Sequence, residues 1–295
     1  MYKNRKIILF AFGSNDLKKS SDRLKFQSEN SNYYDEIRIL SPKNFDEDMK
    51  KKFHKIKDKK RGYGYWFWKP IFLQKIMNEI NEGDIIHYVD IGCHIQKKNS
   101  RFFEYLNLLI DLNKWILPFQ YHLNLSNIPN DISFPNREEF KYTKADLLDH
   151  FGFLNNKIIT HTAQYWAGSF FLAKQSESKI FIKEWIDVFN ENFHLIDDSK
   201  SKLKNLEGFI ENRHDQSVFS LLCKKRNLKS VSAFECEWGE KNYQRTWEHN
   251  FDNPILAKRD LKYGLFKRFI NRQIRTFKRY KKKFFTFKGR GGRAV

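Results

Sequence analysis

Asp90 is the residue of this sequence whose surroundings point most directly to chemistry. It follows residues 85–89, a short apolar run bounded by turn residues, which is the pattern of a buried strand. Ligands of open α/β sheets bind outside the carboxyl ends of strands, and Gly92 leaves the nearby backbone open to close approach. The carboxylate either caps the next turn or binds a ligand, such as a divalent cation or a diphosphate-bound ribose. His94 is either a second metal ligand or an ordinary hydrogen-bonded side chain.

A second group of polar residues, His214, Asp215 and Gln216, opens a segment that predicts a helix. An acid near a helix N-terminus interacts favourably with the helix dipole, so one interpretation is a capping triplet. The alternative is catalytic: Asp215 acts as a general base toward an attacking hydroxyl, while His214 or Gln216 orients that hydroxyl.

Residues 61–70 crowd aromatic rings, two glycines and two cations into one short segment. The aromatic side chains either pack in the core or form a binding surface: Tyr63, Tyr65, Trp66 and Trp68. Arg61 and Lys69 would need partners if they were buried, whereas aromatic faces bracketed by cations suit a sugar ring and a diphosphate. Pro70 is suited to the first turn of a helix that continues over residues 71–79.

Glycines mark two further places where a ligand can approach the backbone. Gly168 interrupts the aromatic strand predicted at residues 162–174, which indicates a bulge or a close approach. Gly13 and Ser14 end the first predicted strand, residues 6–12, and begin a loop that can meet a ligand.

The elements that must position these residues alternate along the chain. Strands are predicted at residues 6–12, 35–40, 85–89, 115–123, 162–174 and 230–234. Helices are predicted at residues 45–60, 71–79, 101–113, 143–151, 176–192 and from 214 onward. This alternation predicts an α/β fold with a mostly parallel sheet. Residues 126–140 read as a loop and a flexible lid, and the helix at 143–151 is expected to have Thr143 as its cap and Asp146 in a capping box.

Composition excludes several classes of protein. The 295 residues include 17% aromatics and three cysteines without a CxxC pair, which argues against disorder, a disulfide framework and a zinc site. The apolar run at residues 7–12 is too short for a signal sequence, and no later run approaches a membrane span. We therefore expect a cytoplasmic protein that is soluble or lies on a surface.

The net charge of +20 is concentrated at one end of the chain. Residues 258–295 hold 15 basic residues and one acidic residue, whereas residues 1–257 hold 40 and 34. Apolar residues of this tail recur at helical spacing: Leu261, Leu265, Phe266, Phe269, Ile270, Ile274, Phe277 and Phe284. The pattern predicts either a basic amphipathic helix in an anionic membrane interface or a solvated helix docked on the core. We accordingly predict one domain over 1–257 and a tail over 258–295.

The motifs at residues 88–92, 166–171 and 214–218, in this order, resemble GT-A-type nucleotide-sugar glycosyltransferases, particularly bacterial enzymes that build capsule or lipopolysaccharide chains. Residues 61–70 resemble the Gly-Tyr-Trp-x-Trp-Lys-Pro signature of one such group. The resemblance covers roughly residues 5–250 and implies a single GT-A-like domain. The family's acidic motif is usually Asp-x-Asp, and Gly92 stands where its second acid would be.

The resemblance implies a role for each motif. Asp90 would bind a divalent cation, Mn²⁺ or Mg²⁺, and the donor diphosphate. Ala167, Gly168 and Ser169 would line the donor sugar and the acceptor, and Asp215 and Gln216, next to His214, would lie at the sugar. The other expected donor-binding residues are Gly92, Arg61, Tyr63, Trp66, Trp68, Lys69, Gly13 and Ser14.

The predicted function is transfer of a sugar from a nucleoside diphosphate to a hydroxyl of a growing cell-surface glycan. The protein would be attached peripherally to the inner face of the cell membrane. A nucleic-acid-binding protein is the alternative, with the tail on phosphates and the rings stacking on bases; in that case the excess charge should lie beside the rings rather than at the terminus. A non-catalytic glycan-binding module would explain the rings but not the acidic motifs.

Overall fold

The computed structural model describes residues 1–56, 61–97, 99–125 and 128–259. The strands of its central sheet are β1 (Ile7–Phe12), β2 (Glu36–Leu40), β3 (Ile85–Val89), β5 (Ile116–Gln120), β6 (Tyr165–Ala173) and β7 (Val231–Ser232). Their order is β2-β1-β3-β6-β5-β7, and β6 runs antiparallel to both of its neighbours while the remaining pairs are parallel. The predicted α/β class with a mostly parallel sheet is confirmed. The reversal of β6 was not predicted.

Within the described residues, four short strands lie outside the central sheet. β4 (His94–Ile95) pairs with β10 (Ile255–Leu256), and β8 (Gly239–Lys241) pairs with β9 (Gln244–Thr246), in both cases antiparallel. The first pair brings the C-terminal end of the described chain against the loop that follows Asp90. The second pair forms a hairpin after β7.

The helices cover both faces of the sheet. In chain order they are α1 (Lys18–Glu29), α2 (Glu47–Lys55), α3 (Gly62–Tyr65), α4 (Trp68–Glu79), α5 (Ser100–Ile110), α6 (Glu139–Tyr142), α7 (Ala145–His150), α8 (Lys157–Thr160), α9 (Ser176–Glu191) and α10 (Asp215–Lys225). Alternate residues of β1 point to opposite faces, as a strand requires. Ile8, Phe10 and Phe12 join the core that includes α4, α9 and α10, whereas Ile7, Leu9 and Ala11 join the core that includes α1 and α5.

Several local predictions were wrong. The helix expected from Thr143 begins at Ala145, and the Thr143 hydroxyl donates instead to Glu139 at 2.5 Å. The predicted capping box is absent, because the Asp146 carboxylate accepts from the backbone N–H groups of Lys202 and Leu203, each at 2.8 Å. Helix α1 was not predicted at all, since its sequence is mostly polar and only Ser20, Leu24 and Ser28 are buried.

The segment predicted to be a loop and a lid, residues 126–140, is described from residue 128 onward. Residues 128–138 form a loop that is held at two points, whereas residues 139 and 140 begin α6. Ser133 forms a β-bridge with Glu240, and the Phe134 ring lies 4.5 Å from that of Phe234. Residues 126 and 127, and the amphipathic tail from residue 260 onward, lie outside the described part of the chain. Within the described ranges, no helix has both the length and the apolar character needed to span a membrane.

Candidate active site

Lys69 joins three of the predicted motifs at the carboxyl end of β3. Its ammonium group forms an ion pair with the Asp215 carboxylate and donates to the Ala167 carbonyl oxygen at 3.1 Å. The same nitrogen lies 3.9 Å from Asp90 Oδ1 and 4.6 Å from the centre of the Tyr88 ring. Lys69 lies in the first turn of α4, inside the core, and is only 2% exposed. A buried ammonium requires such partners because an unpaired charge is costly to remove from water.

Two carboxylates, those of Asp215 and Asp90, lie near the Lys69 ammonium group, and Asp215 is the buried one. It begins α10 and is 4% exposed. Burial raises the pKa of the Asp215 carboxyl to about 6, the Lys69 cation opposes this rise, and the nearby Asp90 charge adds to it. A carboxyl group with such a pKa is suited to exchanging a proton near neutral pH.

Asp90 is the accessible member, with 36% of its side chain exposed. Its Oδ1 accepts a hydrogen bond from the Tyr88 hydroxyl at 2.7 Å, and its backbone N–H donates to the Gly168 carbonyl at 2.8 Å. Gly13 lies close by, since a Cβ atom there would come within 3.4 Å of Ile91 Cγ1. The ends of β1, β3 and β6 therefore meet around Asp90.

The acids around Asp90 fit a divalent cation only in a limited way. Within the described residues, no group of three or more His, Cys, Asp or Glu side chains could hold a metal ion. Mg²⁺ often takes only one or two protein carboxylates and completes its shell from substrate phosphates and water. Asp90 could be such a carboxylate through Oδ2. The His94 Nδ1 atom lies 3.2 Å from the Gln27 side-chain nitrogen, on the side of α1.

The aromatic segment before Lys69 has an unusual backbone. Every residue from 62 to 66 has a positive φ, between 52° and 88°. Tyr65 N–H bonds to the Arg61 carbonyl and Trp66 N–H to the Gly62 carbonyl, so the segment is one turn of left-handed helix. Only glycine adopts this conformation without cost, and each other residue costs roughly 1–2 kcal/mol. Such strain persists only where surrounding structure enforces it, and it is concentrated at functional sites.

Packing of the rings enforces this turn. The Tyr63 ring stacks on Phe53 with centroids 4.6 Å apart, and the Trp68 ring stacks on Phe12 at 4.1 Å. Trp68 is 3% exposed, and its indole N–H donates to the Gly62 carbonyl at 3.0 Å. The left-handed turn therefore delivers Lys69 to the site, while Trp68 lies in the core.

His214 lies between this turn and α10, also in a strained conformation with φ 54°. Its ring stacks near that of Trp66, with centroids 5.7 Å apart, and its Nδ1 bonds to the Ile196 carbonyl. Its Nε2 lies 3.6 Å from Asp198 Oδ1. Burial lowers the pKa of the His214 imidazole. The Arg61 guanidinium donates to the same Asp198 oxygen at 3.1 Å.

Gln216 is fixed by a buried polar network. Its side-chain amide donates to Gln164 Oε1 at 2.7 Å, and Gln164 in turn donates to Glu139 Oε1 at 3.0 Å. Glu139 is fully buried and pairs with Lys224 at 3.0 Å. Satisfied networks of this kind fix side-chain positions.

The remaining predicted residues are distributed around this centre. The β5–β6 register shifts opposite Gly168, and a Cβ there would meet the Trp166 ring. Ser169 points elsewhere: it is fully buried, and its hydroxyl lies 2.9 Å from His87 Nε2. Ser14 is 8% exposed and bonds to Asp16. A Cβ on Gly92 would lie 3.3 Å from the backbone of Arg259. The absence of a side chain at Gly92 therefore leaves room for the C-terminal segment.

Sequence reasoning missed three parts of this arrangement. Lys69 and Asp215 lie 146 positions apart in the sequence, and neither segment contains a pattern that indicates contact with the other. Asp198 occurs in a polar stretch without any motif. Tyr88 could have been found, because alternation along β3 puts its ring on the opposite face from its neighbours His87 and Val89.

Comparison with known proteins gives structural neighbours but no sequence match. No family model and no curated protein matches this chain. Similar solved structures include a glycosyltransferase involved in glycosylation of the major capsid of PBCV-1, with 11% identity over 86% of this chain and 92% of that chain, and a TM-score of 0.43. Mouse xyloside xylosyltransferase 1 has 11% identity over 78% and 86% of the two chains, with a TM-score of 0.41. The galactosyltransferase LgtC has 13% identity over 79% and 75%, with a TM-score of 0.38.

Proposed function

We propose that this protein is a glycosyltransferase that moves a sugar from a nucleoside diphosphate donor to a hydroxyl of an acceptor glycan. The observation that carries the proposal is the convergence of Asp90, Asp215 and the Ala167 carbonyl on the buried Lys69 ammonium. These groups come from four separate segments and meet at the carboxyl end of β3, where α/β sheets bind ligands. The buried Lys69 cation thus holds an accessible carboxylate, Asp90, and a buried carboxylate, Asp215, close together.

The two acids would have different roles. Asp90 would face the donor, because it is the exposed carboxylate and lies beside Gly13. Asp215 would accept the proton of the attacking hydroxyl as the new bond to the sugar forms and the diphosphate departs with the bonding electrons. Lys69 would act as a positioning residue, because its nitrogen is already occupied by protein oxygens. A divalent cation held by Asp90 and the diphosphate would offset the charge of the leaving group.

The acceptor and the location are a second part of the proposal. A capsule or lipopolysaccharide chain grows at the cytoplasmic face of a bacterial membrane, and the basic, apolar-striped sequence of the tail suits attachment there. Nucleic-acid binding is less well supported, because stacking needs accessible rings and Trp68 is packed against Phe12.

The proposal is tested by thermal-shift screening against nucleoside diphosphates and their sugars, with and without Mn²⁺. Donors that stabilise the protein are then assayed for release of nucleoside diphosphate. Stabilisation by at least one nucleotide sugar, followed by turnover, is expected. A protein that is stabilised by none of them is not a nucleotide-sugar glycosyltransferase.

A further inference from the structure

A pair of arginines occupies a second polar region of the same sheet edge. The guanidinium carbons of Arg137 and Arg213 lie 5.6 Å and 3.9 Å from the centre of the Tyr142 ring. Arg137 also contacts the rings of Tyr121 at 5.5 Å and Trp238 at 5.6 Å. All three rings are at least nine-tenths buried, so the two cations rest on an aromatic floor.

Among the described residues, the arginine pair, Arg137 and Arg213, has one carboxylate within ion-pair distance, and that carboxylate contacts only Arg213. Among the described residues, the Arg137 guanidinium has no hydrogen-bond or ion-pair partner, and its Nε is buried without one. Arg213 has 17% of its side chain exposed, and its Nε lies 3.6 Å from Glu211, a carboxylate that also pairs with Arg61. Burial, and then the Arg137 charge, lower the pKa of the Arg213 guanidinium. Two cations that contact one ring repel each other, and a bound anion would offset this repulsion.

Another acid on this flank, Glu237, is engaged through one oxygen, whereas its Oε2 is buried without a hydrogen-bond partner among the described residues. Glu237 is 2% exposed, and its Oε1 accepts from Arg259 at 3.3 Å and from the Tyr121 hydroxyl at 3.4 Å. A guanidinium has five donors arranged to bind carboxylate or phosphate in two-pronged fashion. The arginine pair therefore presents donors that suit an external oxyanion.

The location of the pair separates it from Asp90. Tyr121 follows β5 and Trp238 follows β7, whereas Asp90 follows β3 and Gly13 follows β1; β6 runs between these two halves of the sheet. The pair is nevertheless connected to Asp215. Arg213 precedes it by two residues, and the Arg137 carbonyl accepts from the N–H of Gln164, the partner of Gln216.

We propose that the arginine pair binds an acidic group, a carboxylate or a phosphate, on the acceptor glycan. This inference rests on the proposed glycosyl transfer and specifies its acceptor class. An acceptor held on the β5 and β7 flank reaches Asp215 from the side opposite to Asp90 and the donor.

The test compares binding of matched neutral, glucuronate-terminated and phosphate-bearing oligosaccharides on a printed array. Wild-type protein should bind at least one acidic class about tenfold or more tightly than the neutral glycans, as charge-assisted hydrogen bonds imply. The Arg137→Gln/Arg213→Gln variant should lose that preference. Arg226→Gln is the matched control, because Arg226 also contacts a ring, Phe181 at 5.4 Å, but is paired with Glu184 at 2.8 Å.

Nucleoside diphosphate binding is measured on the same proteins by calorimetry. The proposal expects less than about a twofold change in the double variant. Equal wild-type binding of acidic and neutral glycans overturns it, and so does a variant that loses the nucleotide, because the pair then belongs to the donor diphosphate.

If the wild type binds acidic glycans through the pair but binds no nucleotide sugar, the glycosyl-transfer proposal fails and the acid-binding site stands. Should the double variant not fold, Arg137→Gln alone decides, since Arg137 has no polar partner to lose among the described residues.

Discussion

Lys69 couples folding to chemistry, because one buried nitrogen fixes groups from three other segments. Removing it would leave Asp215 in a low-dielectric site without its counter-charge. Removing Asp90 would leave Lys69 with its bonds to Asp215 and Ala167. Mutation of Lys69 should therefore destabilise the protein more than mutation of Asp90.

Asp90→Asn should abolish turnover while the protein stays folded. The amide keeps the shape of the side chain and can still accept from the Tyr88 hydroxyl, but it lacks the negative charge that we propose faces the donor. We expect nucleotide-sugar turnover to fall at least about 10²-fold with an unchanged circular dichroism spectrum. Asp149→Asn, at an exposed position, is the control. A folded Asp90→Asn protein with wild-type turnover would remove Asp90 from the site.

Turnover should depend on pH through Asp215. A general base must be ionised, and burial places the pKa of this carboxyl at about 6, so kcat/KM should rise with pH up to about 6 and level off above it. Lys69→Met removes the cation that lowers this pKa, so the acid limb should move to higher pH. Asp215→Ala should lower turnover about 10²–10⁴-fold and remove the limb. If Lys69→Met does not shift the acid limb of the pH profile, that limb reports the titration of another group.

The same shift predicts a stability effect of definite sign. Burial raises the folded-state pKa of Asp215 above the ordinary aspartate value of 3.8, so the folded protein binds more protons than the unfolded chain between about pH 4 and 6. The contribution of Asp215 to the free energy of unfolding should therefore decrease as pH rises through this window. Urea unfolding at pH 4.5 and 7 measures it, and Asp215→Ala should lack this component. A component of opposite sign would mean that the Lys69 cation outweighs burial.

The sequence predicts which residues carry charge at strand and helix ends, because those positions follow from local patterns. Asp90 and Asp215 were found in this way. Lys69 was also predicted, as a donor-binding residue, but its contacts with the two acids were not, since they depend on how α4 and α10 pack on the sheet. Arg137 was not predicted either, because the sequence around an arginine in a loop does not indicate whether its guanidinium group has hydrogen-bond or ion-pair partners.

The left-handed turn at residues 62–66 is the element that sets the position of Lys69. Periodicity predicted the helix after it but not the turn, because only two of its five residues are glycine. Its conformation depends on stacking against Phe53 and Phe12, which are distant in sequence. A strained segment held by tertiary packing lies beyond what local propensity can indicate.

Gly62→Ala should destabilise the protein by at least about 2 kcal/mol and reduce turnover. A Cβ at this position would lie 2.2 Å from the Trp66 ring, which stacks near His214, so the ring must move. Gly152→Ala is the matched control: Gly152 has a similar φ of +71° with nothing within 4 Å of its Cβ position, and should cost about 1 kcal/mol. Urea unfolding and donor turnover are measured for both. Equal effects would mean that contact with Trp66 is unimportant.

At the scale of the whole molecule, the sheet edge collects the ends of strands that are far apart in the chain, and the C-terminal segment returns to it. β10 pairs with β4, and Arg259 lies against Gly92 and pairs with Glu237. The alternation of elements was sufficient to predict the α/β class. It could not predict this return, because two-residue strands have no periodicity to detect.

Deletion of residues 260–295 should release the protein from anionic vesicles and spare its activity on a soluble acceptor. The deleted segment holds 13 basic residues and one acidic residue, while the truncated chain keeps Arg259 and its pair with Glu237. Attachment should weaken with salt, because surface potentials are screened within about 8 Å at physiological ionic strength. Co-sedimentation is measured with and without phosphatidylglycerol, at low and high salt.

Full-length protein with Lys281, Lys282 and Lys283 changed to Gln should bind with intermediate strength. Equal sedimentation of the full-length and truncated forms would refute the membrane anchor, whereas loss of activity on a soluble acceptor would mean that the tail helps to form the site.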